Sequence, residues 1–370
     1  MKKFSLYIAL TLAVSACVYP YTPELEDTAE PSLVIDANIL IGNTSTVNLS
    51  YLQPLEVGQR NAGSGRPSGV VYLEDNAGHT YQAENRFGTY VIPPFQPSGS
   101  SEYRLTVMAD GNTYRSEWIT PTEPPTITDV TFSASETQVF VNVSLKEEGS
   151  GSGYAAASYE EIWKFHSDFM RMYMYNPESN SVIALMAPDE TVYWCWKKSS
   201  TGRQVSIDYS SLNGEVNAFP VYGFLKTDNR NHDEYDVRIK VWNLTPEQYK
   251  YRKMLEDNES IGGNLFSPEP GEVRGNVFCE NDETIKVYGY VNISRVAVKD
   301  AVFHSIYDRW TAPKSLIEVD PEDYLKMYEN GYSPVETVLG DEGHSFIGWG
   351  QGRCYDCTQA GGTLEKPSFD

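Results

Sequence analysis

Two cysteines three apart close the chain, in "GRCYDCTQAGGTLEKPSFD" at residues 352–370, beside a glycine pair. Such a pair serves one of three chemistries: a zinc knuckle, a thiol–disulfide redox couple or a structural crosslink. Zinc needs a second close pair, and Cys195 and Cys279 lie far apart in sequence. A thioredoxin-like centre needs a strand before the motif and a helix after it, whereas "TQAGG" follows here. A crosslink is the expectation, with Cys195, Cys279, Cys354 and Cys357 as disulfide candidates. Four thiols allow three pairings. Cys354 joined to Cys357, and one of the two tied back to Cys195, both stay open.

The other chemistry-bearing residues do not assemble a catalytic motif. The five histidines, His79, His166, His232, His304 and His344, include no two within a helical turn of each other, so no two-histidine zinc motif exists. "GSGRPSG" and "GSGSG" lack the Lys-Ser/Thr of a phosphate loop, and no serine sits in a Gly-x-Ser-x-Gly elbow. The densest acidic cluster, "DNRNHDEYD" at 228–236, has Arg230 where a calcium loop wants a carboxylate or amide, and lacks the later glycine. Glu160 with Glu161 is an acid pair of the type glycoside hydrolysis uses, but such pairs are also common on solvated faces. The expectation is a non-enzymatic protein without cofactor or metal.

A crosslink requires an oxidising compartment, and the start of the chain supplies the address. "MKKFSLYIALTLAVSAC" has a basic beginning, an apolar run too short to span a bilayer and small residues before Cys17. Val14-Ser15-Ala16-Cys17 resembles the lipobox of bacterial lipoproteins, which makes residues 1–16 the signal peptide and Cys17 the lipidation site. Residues 17–30, polar, acidic and proline-containing, read as a flexible tether. The expected location is the outer membrane, lipid-anchored, on either its surface or its periplasmic face.

Loss of the signal removes two lysines and no acid, leaving 27 basic against 51 acidic residues, a formal charge of −24. Nucleic acid is excluded as a partner because phosphate binding needs clustered Lys and Arg. An acidic surface also repels anionic head groups, so the acyl anchor must hold the protein to its membrane. The 26 Tyr and 7 Trp fall mostly in alternating stretches such as "TVYWCW" and "YDVRIKVW", which strands explain. Exposed members of this set are candidate platforms for a glycan or peptide.

From Leu33 short apolar alternations are separated by turns: "LVIDANIL", "STVNLSYL", "GVVYLEDNAG", "TYQAEN", "GTYVIP", "EYRLTVMADG" and "NTYRSEWI". Seven short strands predict an immunoglobulin/fibronectin-like β-sandwich over 31–124, with Tyr103 as the tyrosine that ties a strand corner. The prolines of "TPTEPPT" at 120–126 mark its end. A larger β-rich domain with two short helices is expected over 125–370. In the first helix Thr245 caps, Pro246 takes the first position and Gln248 completes a capping box. In the second Asp320 caps, Pro321 follows and Gly331 stops the helix.

The mature chain resembles the lipoproteins of Bacteroidota grouped as domain of unknown function 4249. The resemblance rests on the lipobox, "LVIDANI", "SYEEIWKFHS" at 158–167, Cys195-Trp196, "LTPEQYKYRKMLEDNESIGGNLFSPEPGEVRGNV" at 244–277 and the closing "CYDCTQAGGTLEKPSFD". The chain departs from the pattern at Asp370, where related chains often carry an aromatic, and at Cys279, which looks like an addition. Members tend to accompany TonB-dependent outer-membrane receptors. The resemblance therefore implies an accessory role to such a receptor in nutrient uptake or envelope assembly, with a glycan- or peptide-binding surface lipoprotein as the alternative.

Overall fold

The computed structural model describes residues 32–52, 67–97, 102–147, 151–200, 204–260, 275–304, 316–340 and 343–369, with only the backbone described over 257–260. Cys17, the signal peptide and the tether lie outside the described residues. The protein is mainly β, and its early part is a two-sheet sandwich.

In Leu33–Leu40 the residues Leu33, Ile35, Ala37 and Ile39 are buried while Val34, Asp36 and Asn38 are not, the period-two burial of a strand with one face on a core. It pairs antiparallel with Ser45–Tyr51, which continues into Thr89–Ile92 and Glu84–Arg86. The facing sheet runs Asn112–Ser116, Tyr103–Ala109, Gly69–Asp75 and Thr80–Gln82. Asp110 and Gly111 form a tight hairpin with φ of 52° and 77°, the left-handed pair that a two-residue turn demands. Ile35, Ile39, Val47 and Ile92 of one sheet meet Leu73, Leu105 and Val107 of the other in one core.

Residues 31–124 do not complete this sandwich. Val287–Tyr288 and Val291–Ser294 pair parallel with Leu33–Leu40, and Val277–Cys279 pairs with Asn112–Ser116. Val291, Ile293 and Cys279 are buried in the same core. The corner tyrosine also differs from expectation. The Tyr103 hydroxyl is buried and has no hydrogen-bond partner among the described residues, whereas the Tyr90 hydroxyl accepts from Gly69 N at 2.8 Å and donates to Gly69 O at 3.2 Å. Tyr103 instead packs beside Phe95.

The second sandwich opposes a sheet of Thr126–Ala134, Gln138–Lys146 and Glu215–Leu225 to one of Trp194–Ser200, Tyr154–His166, Glu234–Asn243 and Ala297–His304, with Val205–Asp208 also pairing to Tyr154–His166. Its core joins Val141, Val143 and Leu145 to Ile207, Tyr235, Val237 and Ile239. Between the sandwiches Leu40 packs with Ala156, Trp242 and Leu244. The proline-bearing segment runs extended here, with Thr122 bridged to Ser294 and the Asn243 side chain donating to Glu123 O at 2.7 Å.

A smaller region pairs Arg171–Asn176 with Ser181–Asp189 and sets this hairpin against the sheet Ile317–Glu318, Ser345–Gln351 and Tyr332–Leu339. Two α-helices occur among the described residues. Helix α1, Pro246–Ser260, begins with the expected capping box: Gln248 N donates to Thr245 Oγ1 at 3.2 Å and Thr245 N donates to Gln248 Oε1 at 2.9 Å. Helix α2, Tyr324–Glu329, follows a 3-10 turn at Pro321–Asp323, and Asp320 makes no side-chain cap. Pro321 opens the tighter turn, which shifts the α-helical start beyond reach of that carboxylate.

Candidate functional site

The cysteines resolve into one bond and two thiols. Cys195 is bonded to Cys357 across 162 residues, while Cys279 and Cys354 are buried thiols. Cys279 belongs to the core of the first sandwich and Cys354 to the small core of the third region, with Leu316 and Val335. These two disulfide candidates therefore sit in separate cores. Gly362 packs on the bond: a Cβ there would lie 2.5 Å from Cys195 Cβ. From this staple the last residues run across the outside of the second sandwich. Thr363 exchanges backbone hydrogen bonds with Trp196 at 2.7 and 2.8 Å, and Lys366 reaches Glu234 at 2.7 Å and Asp236 at 2.5 Å.

The acid pair is split by the pleat of its strand. Glu160 meets Lys240 on one side, and Glu161 meets Arg230 on the other. The Arg230 fork spans both Glu161 oxygens at 2.7 and 2.9 Å, and its remaining nitrogen donates to Asp228. Tyr235 adds a hydroxyl donor to Glu161 at 2.9 Å, and the guanidinium lies 4.5 Å from the Trp163 ring. Burial opposes charge on Arg230, but the Glu161 carboxylate outweighs it and raises the pKa. Within the acidic stretch Asp233 pairs with Lys164, and Glu234 and Asp236 pair with Lys366, while Asp228 and Arg230 close an ion cluster with Glu161. Next to it His166 and His232 stack at 4.2 Å, and His166 N donates to His232 Nδ1 at 3.4 Å. Burial, then the neighbouring His166, push His232 down to about 4. No group of metal-ligating side chains occurs among the described residues.

A cleft of about 220 Å³ opens where the two sandwiches meet helix α1. The opposed pairs Asp36 with Asn48 and Asn38 with Thr46 place four polar side chains on the outer face of the first sandwich. Helix α1 contributes Gln248, Tyr251, Arg252 and Leu255, at spacings of three, four and seven that share one helical face. Trp242, Leu244, Tyr290, Asn292, Gln204 and Ala37 complete the lining. Gly289 places Tyr290: its φ is +108°, and a Cβ there would come 2.1 Å from Ile35 O. Only glycine tolerates so close a backbone approach in that conformation.

The electrostatics of the cleft differ from those of the closed ion cluster. Asp36 Oδ1 accepts from Tyr290 N at 3.2 Å and from the Tyr251 hydroxyl at 3.3 Å, and its second oxygen has no partner among the described residues. Burial raises its pKa against the pull of those donors. Arg252 donates from Nε to Ser206 Oγ at 2.9 Å and from Nη1 to Gln204 Oε1, leaving Nη2 without a partner among the described residues. Burial lowers its pKa, with Glu256 pulling the other way. That glutamate is itself engaged by Lys253 and Ser206. Asn292 and Gln248 are tied to each other, to Asn38 and to Ser294 in a hydrogen-bonded chain. The buried Trp242 Nε1 has no acceptor among the described residues.

None of the cleft residues was singled out from the sequence for chemistry. Asp36 and Asn38 stand at outward positions of a strand, where polar residues read as solvated, and Arg252 sits in an ordinary polar helix. Some apolar side chains among the described residues are exposed. Met172, Met174 and Ile183 of the Arg171–Asp189 hairpin are exposed, Met174 lies opposite Ile183, and Met186 is fully exposed.

The family described as "Domain of unknown function (DUF4249)" matches residues 18–300. No curated protein matches the chain. Among solved structures, a two-domain fibronectin type III segment of chicken tenascin is similar at 10% identity, covering 58% of this chain and 92% of that one with a TM-score of 0.17. A putative carbohydrate binding protein from Bacteroides uniformis is similar at 10% identity, over 60% and 93%, with a TM-score of 0.15. A DUF3823 family protein from Parabacteroides merdae is similar at 13% identity, over 58% and 91%, with a TM-score of 0.14. Likenesses of this size carry no argument about ligand or partner.

Proposed function

We propose that this chain, which belongs to the DUF4249 family, is a non-enzymatic lipoprotein anchored to the outer membrane through Cys17 and accessory to a TonB-dependent receptor in nutrient uptake or envelope assembly. The observation that carries this reading is the set of exposed apolar side chains Met172, Met174, Ile183 and Met186 on the hairpin at 171–189 of an acidic chain. Apolar patches of this kind mark contact surfaces, and methionine adapts its shape to a partner. The test is affinity purification of a tagged chain from gently solubilised outer membranes, followed by mass spectrometry. A stoichiometric TonB-dependent receptor, lost when Met174 and Ile183 are changed to glutamate, is the expected result. Recovery of the lipoprotein alone, with its membranes intact, overturns the proposal.

The cleft favours a second reading, direct capture of a glycan or peptide. Convergent polar groups around a buried tryptophan are what a small-ligand site requires. This reading predicts saturable ligand binding in the absence of any receptor.

A further inference from the structure

We infer that the cleft between the sandwiches is a receptor for an α-amino-acid zwitterion, a free amino acid or a short peptide, with its carboxylate on Arg252 and Gln204 and its ammonium on Asp36. The inference rests on the second reading above and names the ligand class of that site. No ion pair to Arg252 occurs among the described residues, although Glu256 lies near enough to favour its charge. Arg230 is filled by Glu161 and Asp228, and Lys240 is taken by Glu160. Arg252, by contrast, makes its two described bonds to the neutral side chains of Ser206 and Gln204. Half-buried, it carries charge at a cost that an incoming anion relieves.

Asp36, on strand Leu33–Leu40 in the lining of the same cleft, is the complementary case. Its donors use one carboxylate oxygen, and the other is left to the cleft. No ion pair joins Asp36 to Arg252, so each remains available to a ligand group of opposite sign. A neutral sugar would leave both charges uncompensated, and an anion alone would leave Asp36 so. A zwitterion answers both. Trp242, Leu244 and Leu255 supply an apolar lining for a side chain, and the amides of Asn38 and Asn48 supply further polar contacts. The volume of about 220 Å³ is smaller than the roughly 300 Å³ at which drug-sized sites begin, which limits the ligand to one or two residues.

The experiment is titration calorimetry on the full mature chain in mild detergent, with leucine, alanyl-leucine, N-acetyl-leucine, leucinamide and glucose as probes. Leucine or alanyl-leucine is expected to bind, and which of the two binds tighter identifies a free amino acid or a peptide as the source. Arg252→Gln and Asp36→Asn are each expected to weaken that binding by about 30-fold or more. N-acetylation should weaken binding to the unaltered chain yet cost nothing further in Asp36→Asn, and amidation should behave likewise with Arg252→Gln. The ligand-side changes keep the test sound if a variant fails to fold. Absence of binding by both zwitterions, or unchanged affinity in both variants, overturns the inference. Binding of glucose alone overturns the ligand class while leaving the cleft a binding site.

Discussion

In the first sandwich the late residues of the chain enter as strands. Val277–Cys279, Val287–Tyr288 and Val291–Ser294 pair with strands laid down more than 160 residues earlier, and Cys279, Val291 and Ile293 fill the core. In the second sandwich Ala297–His304 also enters as a strand, but the residues beyond the Cys195–Cys357 crosslink lie outside as a strap held by Thr363 and Lys366. One closure depends on register and a glycine, the other on a covalent bond. The stability of the first is therefore sensitive to backbone geometry, and that of the second to redox conditions.

Breaking the covalent closure should have the largest effect. The chain-entropy account assigns a loop of this length about 5 kcal/mol. Cys195→Ala, or reduction, should lower the unfolding midpoint and expose the strap to proteolysis, while the first sandwich resists cleavage as before. Limited proteolysis with mass spectrometry checks this, and equal loss in both sandwiches would remove the distinction.

Gly289→Ala attacks the other closure. With φ at +108° and Ile35 O 2.1 Å from the new methyl group, the backbone must move, at a cost of about 2–4 kcal/mol. Hydrogen exchange should rise along Leu33–Leu40 and leave Glu234–Asn243 protected. The smallest effect concerns pH. His232 is held neutral, down to about 4, against an ordinary value of 6.5. The unfolded chain takes up a proton that the folded chain refuses, so this contribution is full above pH 6.5 and fades between 6.5 and 4. After discount for its partial exposure it amounts to roughly 1–2 kcal/mol. His232→Asn should flatten the stability profile in that window, as read by denaturant titration at several pH values.

The early strands and the first helix were legible because each carries its own local signal. Alternation in "LVIDANIL" sets the core face, Asp110-Gly111 sets a turn, and Thr245 with Gln248 sets a cap. The partner of Leu33–Leu40 on its far side was not, since nothing local to Val291–Ser294 names a strand more than 250 residues away. Tyr103 misled for a related reason: its sequence context fits a strand corner, but the hydroxyl that reaches Gly69 comes from Tyr90. The cleft was illegible because it is assembled from strands, helix and returning segment, none of which carries a motif alone. The cysteine count allowed three full pairings, and the structure completes none of them: Cys195 and Cys357 bond, while Cys279 and Cys354 are buried in separate cores.

The return of the chain also sets a clock. Asn38 accepts a hydrogen bond from Asn292, 254 residues later. At the usual ~5–20 residues per second of synthesis, that interval is roughly 13–50 s. For that time the outer edge of Leu33–Leu40 has no neighbour to occupy its backbone groups, and an open strand edge is a template for pairing with another chain. A nascent copy therefore needs its edge shielded until the last partner emerges, which makes early termination between Asn38 and Asn292 a source of sticky fragments rather than of a working half.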